Sequence, residues 1–196
     1  MRALDVLARL EAALAPASSV APAAGAEVRD AAVAVVFRVG AGDSLELLMI
    51  ERASYAGDPW SGHVAFPGGR RELHDAALLD TALRETREEM GIDLASDGRM
   101  LGALERVHPV TPSLPQFYIA PFVALLTRDA PLALSGEVAD AFWVPLAILQ
   151  LPDASSDVEV VLANGTRRTV RAFVHGRYTI WGLTERIIRD LLSRLA

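Results

Sequence analysis

The chain has 196 residues, of which 52% are apolar, carries a formal charge of −6 and contains no cysteine. That length fits one domain with short terminal additions, and the apolar content is ample for a core, which excludes wholesale disorder. A disulfide framework, a thiolate zinc site and a cysteine nucleophile are excluded outright, and a net acidic chain has no overall basic surface for long nucleic acid.

Leu4, Leu7, Leu10 and Leu14 recur at helical spacing, so residues about 2–15 are predicted as an amphipathic helix. Asp5, Arg9 and Glu11 interrupt the apolar pattern too early for a signal peptide, and no apolar run reaches the ~18–20 residues that span a bilayer. A cytoplasmic protein without a membrane partner is therefore expected. Sequence rich in alanine, proline and serine follows, from Pro16 to Ala26, and is read as a linker or irregular arm. The expected organisation is an N-terminal helix and linker over 1–27 and a main domain over 28–196.

Residues 31–39 and 45–51 are strand candidates, joined by the turn Gly40–Asp43. A loop rich in glycine and proline runs from Gly57 to Arg71 and holds a short apolar segment, Val64–Phe66. A strong helix is predicted from about Ala76 to Met90, stopped by Gly91. Strands are expected at roughly 100–107, 116–126 and 141–144. A hairpin pairs 158–162 with 168–174 around Asn164-Gly165, and it is too short to be a domain of its own. Ile187, Ile188, Leu191, Leu192 and Leu195 mark a C-terminal helix over Thr184–Leu195. Helices flanking a mixed set of strands give the class α/β (α+β).

The chemistry concentrates in Phe66-Pro67-Gly68-Gly69 and, after fourteen intervening residues, Arg84-Glu85-Thr86-Arg87-Glu88-Glu89-Met90-Gly91. On a wheel at 100° per residue, Leu79, Leu83, Thr86 and Met90 fall within roughly 60° and form the expected buried stripe. Glu85, Glu88 and Glu89 fall within roughly 100° on another face. Like charges at that spacing cost ~0.2–0.5 kcal/mol per pair, a cost that a hard cation removes. Oxygen-only ligation suits Mg2+ or Mn2+. The plainer alternative is a solvated acidic face with an Arg84–Glu88 ion pair. Against it, the Gly-Gly loop lies just upstream, where backbone can approach a ligand or metal closely.

These residues resemble the Nudix box, whose usual form is G-x5-E-x7-R-E-U-x-E-E-x-G-U with U apolar. Arg84, Glu85, Glu88, Glu89, Gly91 and Ile92 match its second half, and Thr86 stands where an aliphatic residue is usual. In the first half the family's glutamate and glycine positions fall on Ala76 and Arg70; one extra residue restores them as Asp75 and Gly69. The coenzyme A pyrophosphatase branch is similar in this longer spacing, in the runs Phe66–Gly69 and Thr81–Glu85, and in Glu137-Val138, Trp143–Leu146 and Ile180–Thr184. His63 stands where that branch has glutamine, and Trp60-Ser61 replaces a histidine-centred stretch.

The resemblance implies a Nudix α/β/α sandwich with a mixed sheet. It further implies hydrolysis of a nucleoside diphosphate linked to another group, with Glu85, Glu88 and Glu89 as metal ligands and a carbonyl at Gly68 or Gly69 assisting. Arg84 is expected to hold a glutamate in position and Asp75 to cap the helix. Glu137 and Asp140 are candidates for a base outside the box. Arg52, Arg70 and Arg71 flank the cleft as phosphate contacts, with ordinary surface charge as the plainer alternative. His63 is a substrate-binding or acid–base candidate, whose plainer role is a hydrogen-bonded structural residue. Trp60 either stacks on a base or forms rim. The expected partner is a small nucleotide derivative: coenzyme A or its acyl forms first, then ADP-ribose or a damaged dNTP. A homodimer is left open. Two other classes compete: a non-catalytic nucleotide-binding module on the same fold and a structural protein with an acidic helix.

Overall fold

Valine and alanine alternate along β1 (Arg29–Val39), and this strand becomes the centre of a seven-stranded sheet. The computed structural model describes residues 2–22, 29–55, 60–109, 117–162 and 165–195. Strand β1 runs parallel to β6 (Phe117–Leu126), from Arg29 opposite Phe117 to Phe37 opposite Leu125, and β5 (Gly98–Ala103) closes that edge antiparallel to β6. On its other side β1 pairs with β2 (Leu45–Arg52) only from Phe37 to Val39. Beyond that point the two strands fork. The fork is filled by β3 (Val64–Ala65) on β2 and β4 (Gly68–Arg70) on β1. Between them the carbonyl of Pro67 accepts the Ala34 N–H at 2.8 Å. Strand β7 (Val138–Pro145) pairs antiparallel with β2. Parallel and antiparallel neighbours together make the sheet mixed, as expected.

Successive residues of a strand face opposite ways, and the two faces of this sheet differ in side-chain size. One face carries Val35, Phe37, Leu47, Met49 and Val123. It is covered by α1 (Ala3–Ala13), through Leu7 and Leu10, and by α5 (Gly182–Ser193), through Ile187, Ile188 and Leu191. The other face is rich in alanine: Ala32, Ala34, Ala103, Ala120 and Ala124 pack with Leu48, Ile50 and Phe122 beneath α2 (Leu78–Met90). The result is the α/β/α sandwich. A separate three-stranded sheet, β8 (Ser155–Val161), β9 (Arg167–His175) and β10 (Tyr178–Trp181), packs against the main body.

Several boundaries differ from the expected ones. The loop segment around Val64–Phe66 contributes two short strands, because it completes the forked sheet. The strand expected over 100–107 ends at Ala103. Two short helices, α3 (Leu94–Asp97) and α4 (Leu146–Leu149), and strand β10 lie in stretches too short for periodicity to mark. Helix α2 starts at Leu78 and not Ala76. Gly91, with φ +71°, ends it as expected, its N–H donating to the Arg87 carbonyl. In the hairpin turn Gly165 has φ +79°, while Asn164 lies outside the described residues. No helix among the described residues is long and apolar enough to cross a membrane.

Candidate active site

The buried side of α2 comprises Leu78, Thr81, Ala82, Thr86, Glu89 and Met90, whereas Leu79 and Leu83 are half-buried on its shoulder. Relative to the stripe expected from Leu79, Leu83, Thr86 and Met90, the helix is turned by roughly 75° at 100° per residue. Alanines on both surfaces let the backbones approach most closely along this side, and Thr86 closes its own hydroxyl onto the Ala82 carbonyl at 2.7 Å. The rotation carries Glu89 inward. It is 3% exposed, and its Oε2 accepts the Gly68 N–H at 2.8 Å. Gly68 has φ +151°, and a Cβ there would lie 2.3 Å from the Ala32 carbonyl oxygen. Only glycine turns its N–H toward the helix at this point. Gly69 also lies close: a Cβ on it would meet the Glu85 carboxylate at 2.4 Å.

Arg84 organises the remaining carboxylates. Its Nη1 donates to Glu85 at 2.8 Å and to Glu88 at 3.0 Å, and its Nη2 donates to the Arg70 carbonyl at 3.0 Å. Nε and Nη2 together grip the two oxygens of Asp75 at 3.1 and 3.0 Å. Asp75 therefore does not cap α2. Its buried carboxylate accepts from Arg84, from the Thr81 hydroxyl and from the Glu72 N–H, while the first turn is served by Asp80, which accepts from Ala77 N–H at 2.8 Å. The Arg84 guanidinium holds the Asp75 carboxyl well below the usual carboxylate range. Asp75→Asn leaves the size and removes half of a charge pair whose arginine side chain is 11% exposed. A stability loss of about 2–3 kcal/mol is expected in urea unfolding, together with a fall in turnover as Arg84 loses its anchor. Unchanged unfolding and turnover would show that Glu85 and Glu88 hold Arg84 unaided.

The site as a whole is short of positive charge. Burial raises the Glu85 carboxyl above its ordinary value against the pull of Arg84, with Glu88 and Glu137 adding to the rise. Burial pushes Glu89 up to about 7; Glu85 and Glu137 add to that rise, and the Gly68 N–H and Arg52 oppose it. Glu137, exposed just before β7, thus acts on both Glu85 and Glu89, and Arg52, at the end of β2, acts on Glu89. Oxygen donors crowded at this density suit a hard divalent cation. Among the described residues no three histidine or carboxylate side chains already stand in a coordinating arrangement. Glu85 and Glu88 turn to Arg84, and Glu89 turns to Gly68.

The remaining candidates lie around this cluster or apart from it. Arg71 donates from Nη2 to the Asp75 carbonyl at 2.9 Å and closes the 71–75 turn, and Arg70 is exposed on β4. Trp60 meets Phe117 edge-on at 6.1 Å. His63 packs on Trp181, ring centroids 4.7 Å apart, and lines a separate cavity. Asp140 accepts from the Tyr178 hydroxyl at 2.6 Å and Arg177 at 2.7 Å, which hold its carboxyl below the usual range, a poor environment for a base. The Asp75–Arg84 grip was missed as such: the box spacing marks both residues, but their contact depends on the 71–75 turn.

A model of the NUDIX domain family matches residues 28–164. An uncharacterized protein of Schizosaccharomyces pombe is 39% identical over 134 residues, which are 65% of this chain and 40% of that protein. The mitochondrial coenzyme A diphosphatase of Homo sapiens is 32% identical over 153 residues, 76% of this chain and 63% of that one. The chain thus spans two fifths of the first relative's length and under two thirds of the second's. The NUDIX domain of Shewanella oneidensis NrtR, solved with ADP ribose, superposes with a TM-score of 0.57 at 19% identity, over 88% of this chain and 91% of that one, a likeness of fold.

Proposed function

This chain belongs to the NUDIX domain family, and from that premise we propose that it is a metal-dependent pyrophosphohydrolase acting on coenzyme A or a related nucleotide derivative. The observation that carries the reading is the crowding of Glu85, Glu88, Glu89 and Glu137 around glycine backbone, with Arg84 tethering two of the four. Glu85, Glu88 and Glu89 would hold Mg2+ or Mn2+, assisted by the Gly69 carbonyl. A bound divalent ion supplies charge neutralisation at the phosphate oxygens. Arg84 keeps Glu85 and Glu88 from splaying apart, and Asp75 keeps Arg84 in place. Glu137 is the proposed base: one of its oxygens takes a proton from the water that attacks phosphorus as the bridging P–O bond breaks. Arg52, Arg70 and Arg71 are the proposed phosphate contacts, matching the planar guanidinium fork to phosphate oxygens.

Coenzyme A leads the substrate reading because a relative at 32% identity is named a coenzyme A diphosphatase. Coenzyme A, dephospho-coenzyme A and ADP-ribose are to be compared with Mg2+ and with Mn2+, identifying both products. The expected result is 3′,5′-ADP plus 4′-phosphopantetheine, with dephospho-coenzyme A roughly 10-fold poorer for want of a charge-assisted contact. Good cleavage of ADP-ribose with none of coenzyme A removes the substrate reading and keeps the hydrolase. No cleavage of any of them leaves a nucleotide-binding module.

A further inference from the structure

A cavity of about 360 Å³ opens beside the end of β2. Part of its lining belongs to the main sheet: Glu51 on β2, and His63 and Val64 at the entry to β3. The rest comes from the small sheet, through Val160, Tyr178 and Trp181. The last two lie beyond residue 164, where the family match ends, so the shared domain alone does not build this cavity. We propose that it seats a nucleobase bearing an amino group, the nucleoside end of a substrate whose pyrophosphate lies at Glu85 and Glu89. The proposal rests on the pyrophosphohydrolase reading above.

Size is the first argument. Small-molecule sites begin at about 300 Å³, so this one takes a nucleoside-sized group and not both halves of a dinucleotide-like molecule. Its walls offer aromatic surface, with His63 against Trp181, and Tyr178 held rigid by a parallel stack on Phe142 at 3.6 Å. Such rings suit a flat heterocycle. Charge is the second argument. Arg177 lines the cavity too, but its guanidinium is committed to Glu51 at 3.0 Å and Asp140 at 2.7 Å. With Glu51 beside it and Asp140 behind it, Arg177 leaves no net positive charge on this wall, which disfavours phosphate and favours an N–H donor. Glu51 gives Oε2 to Arg177 and has Oε1 left to offer. Hydrogen bonds to a half-buried carboxylate are among the stronger ones.

Position is the third. Glu51 and Arg52 are consecutive on β2, so their side chains leave by opposite faces; the first lines the cavity and the second acts on Glu89. Val64 of the cavity and Gly68 of the carboxylate site are four residues apart, at most about 14 Å along an extended chain. One substrate bent around the end of β2 reaches both.

The test is binding of adenosine 5′-monophosphate and purine riboside 5′-monophosphate, which lacks only the amino group, to the full chain by calorimetry with metal chelated. Wild type is expected to prefer the amino compound by about 10-fold, and Glu51→Gln to reduce that preference to about 3-fold or less. Val160→Trp, which fills the cavity from an exposed strand, is expected to abolish binding of both. In turnover, Glu51→Gln is expected to raise KM with kcat retained. Equal binding of the two nucleotides by wild type, an undiminished preference in Glu51→Gln, or displacement by pantetheine in place of the nucleotide overturns the proposal. If hydrolysis is intact while the preference is absent, only the base pocket falls. If the preference is present and depends on Glu51 while no pyrophosphate is cleaved, the cavity assignment stands and the hydrolase reading falls.

Discussion

Glu85→Gln, Glu88→Gln and Glu89→Gln are each expected to cut turnover by a factor of about 10² or more, because each deletes charge that supports the ion stabilising the transition state. The three should differ in stability. Glu89 is buried and its carboxyl is already raised to about 7 by that burial. Glutamine keeps an oxygen for the Gly68 N–H and removes the buried charge, so the metal-free Glu89→Gln protein should melt no lower than wild type, and higher above pH 7. Glu88 is exposed, and its replacement loses only the contact to Arg84, worth about 0.5 kcal/mol. Steady-state turnover at saturating Mg2+ and thermal melts with and without metal separate these effects. Wild-type turnover in all three variants would sink the site assignment.

Gly68→Ala is expected to unfold the protein far more readily, and Gly69→Ala to spare stability while removing activity. At Gly68 the new methyl meets backbone, the Ala32 carbonyl oxygen at 2.3 Å and Val33 Cα at 2.6 Å, at a φ that side chains rarely adopt. No rotamer change relieves that contact. A cost of about 3 kcal/mol or more follows from overpacking and strained φ together, which is a fall in Tm of roughly 6–12 °C for a chain of this size. At Gly69 the atoms nearest the methyl are those of the Glu85 carboxylate, the far end of a flexible side chain. That side chain can swing away, so the fold survives and the proposed ligand is displaced. Two adjacent alanine variants with the same melting temperature would contradict this division.

The pattern of the expected elements was legible because β1, β2 and α2 are long and strongly periodic. What periodicity could not show was the docking angle of α2. A wheel ranks residues by hydrophobicity and so put Leu79 and Leu83 at the centre; the sheet selects for close approach and put Ala82 and Glu89 there. A glutamate at the centre of a buried face is visible only once its partner, the Gly68 N–H, is in place across the fork. The same limit hid Asp75. Its spacing from Arg84 could be counted, but a residue just before a helix is read as a cap unless the turn between them is known. The cavity at Glu51 is another step removed, since β10 is four residues long and the cavity forms only where its small sheet meets the main one.

The alanines under α2 set a clearance. Ala32, Ala34, Ala82, Ala120 and Ala124 are fully or almost fully buried, and they keep the helix axis low over the sheet, so that a glutamate side chain spans the gap to the backbone of β4. In this arrangement the length of a side chain is the gauge, and any change in the thickness of the layer is read out at the carboxylates. Ala34→Val would lift the helix by a fraction of a methyl diameter without touching a polar atom. Aspartate at position 89, one methylene shorter, would miss the same backbone from the other direction. Thickening the layer and shortening the reach are the same geometrical error, made from opposite sides of the gap.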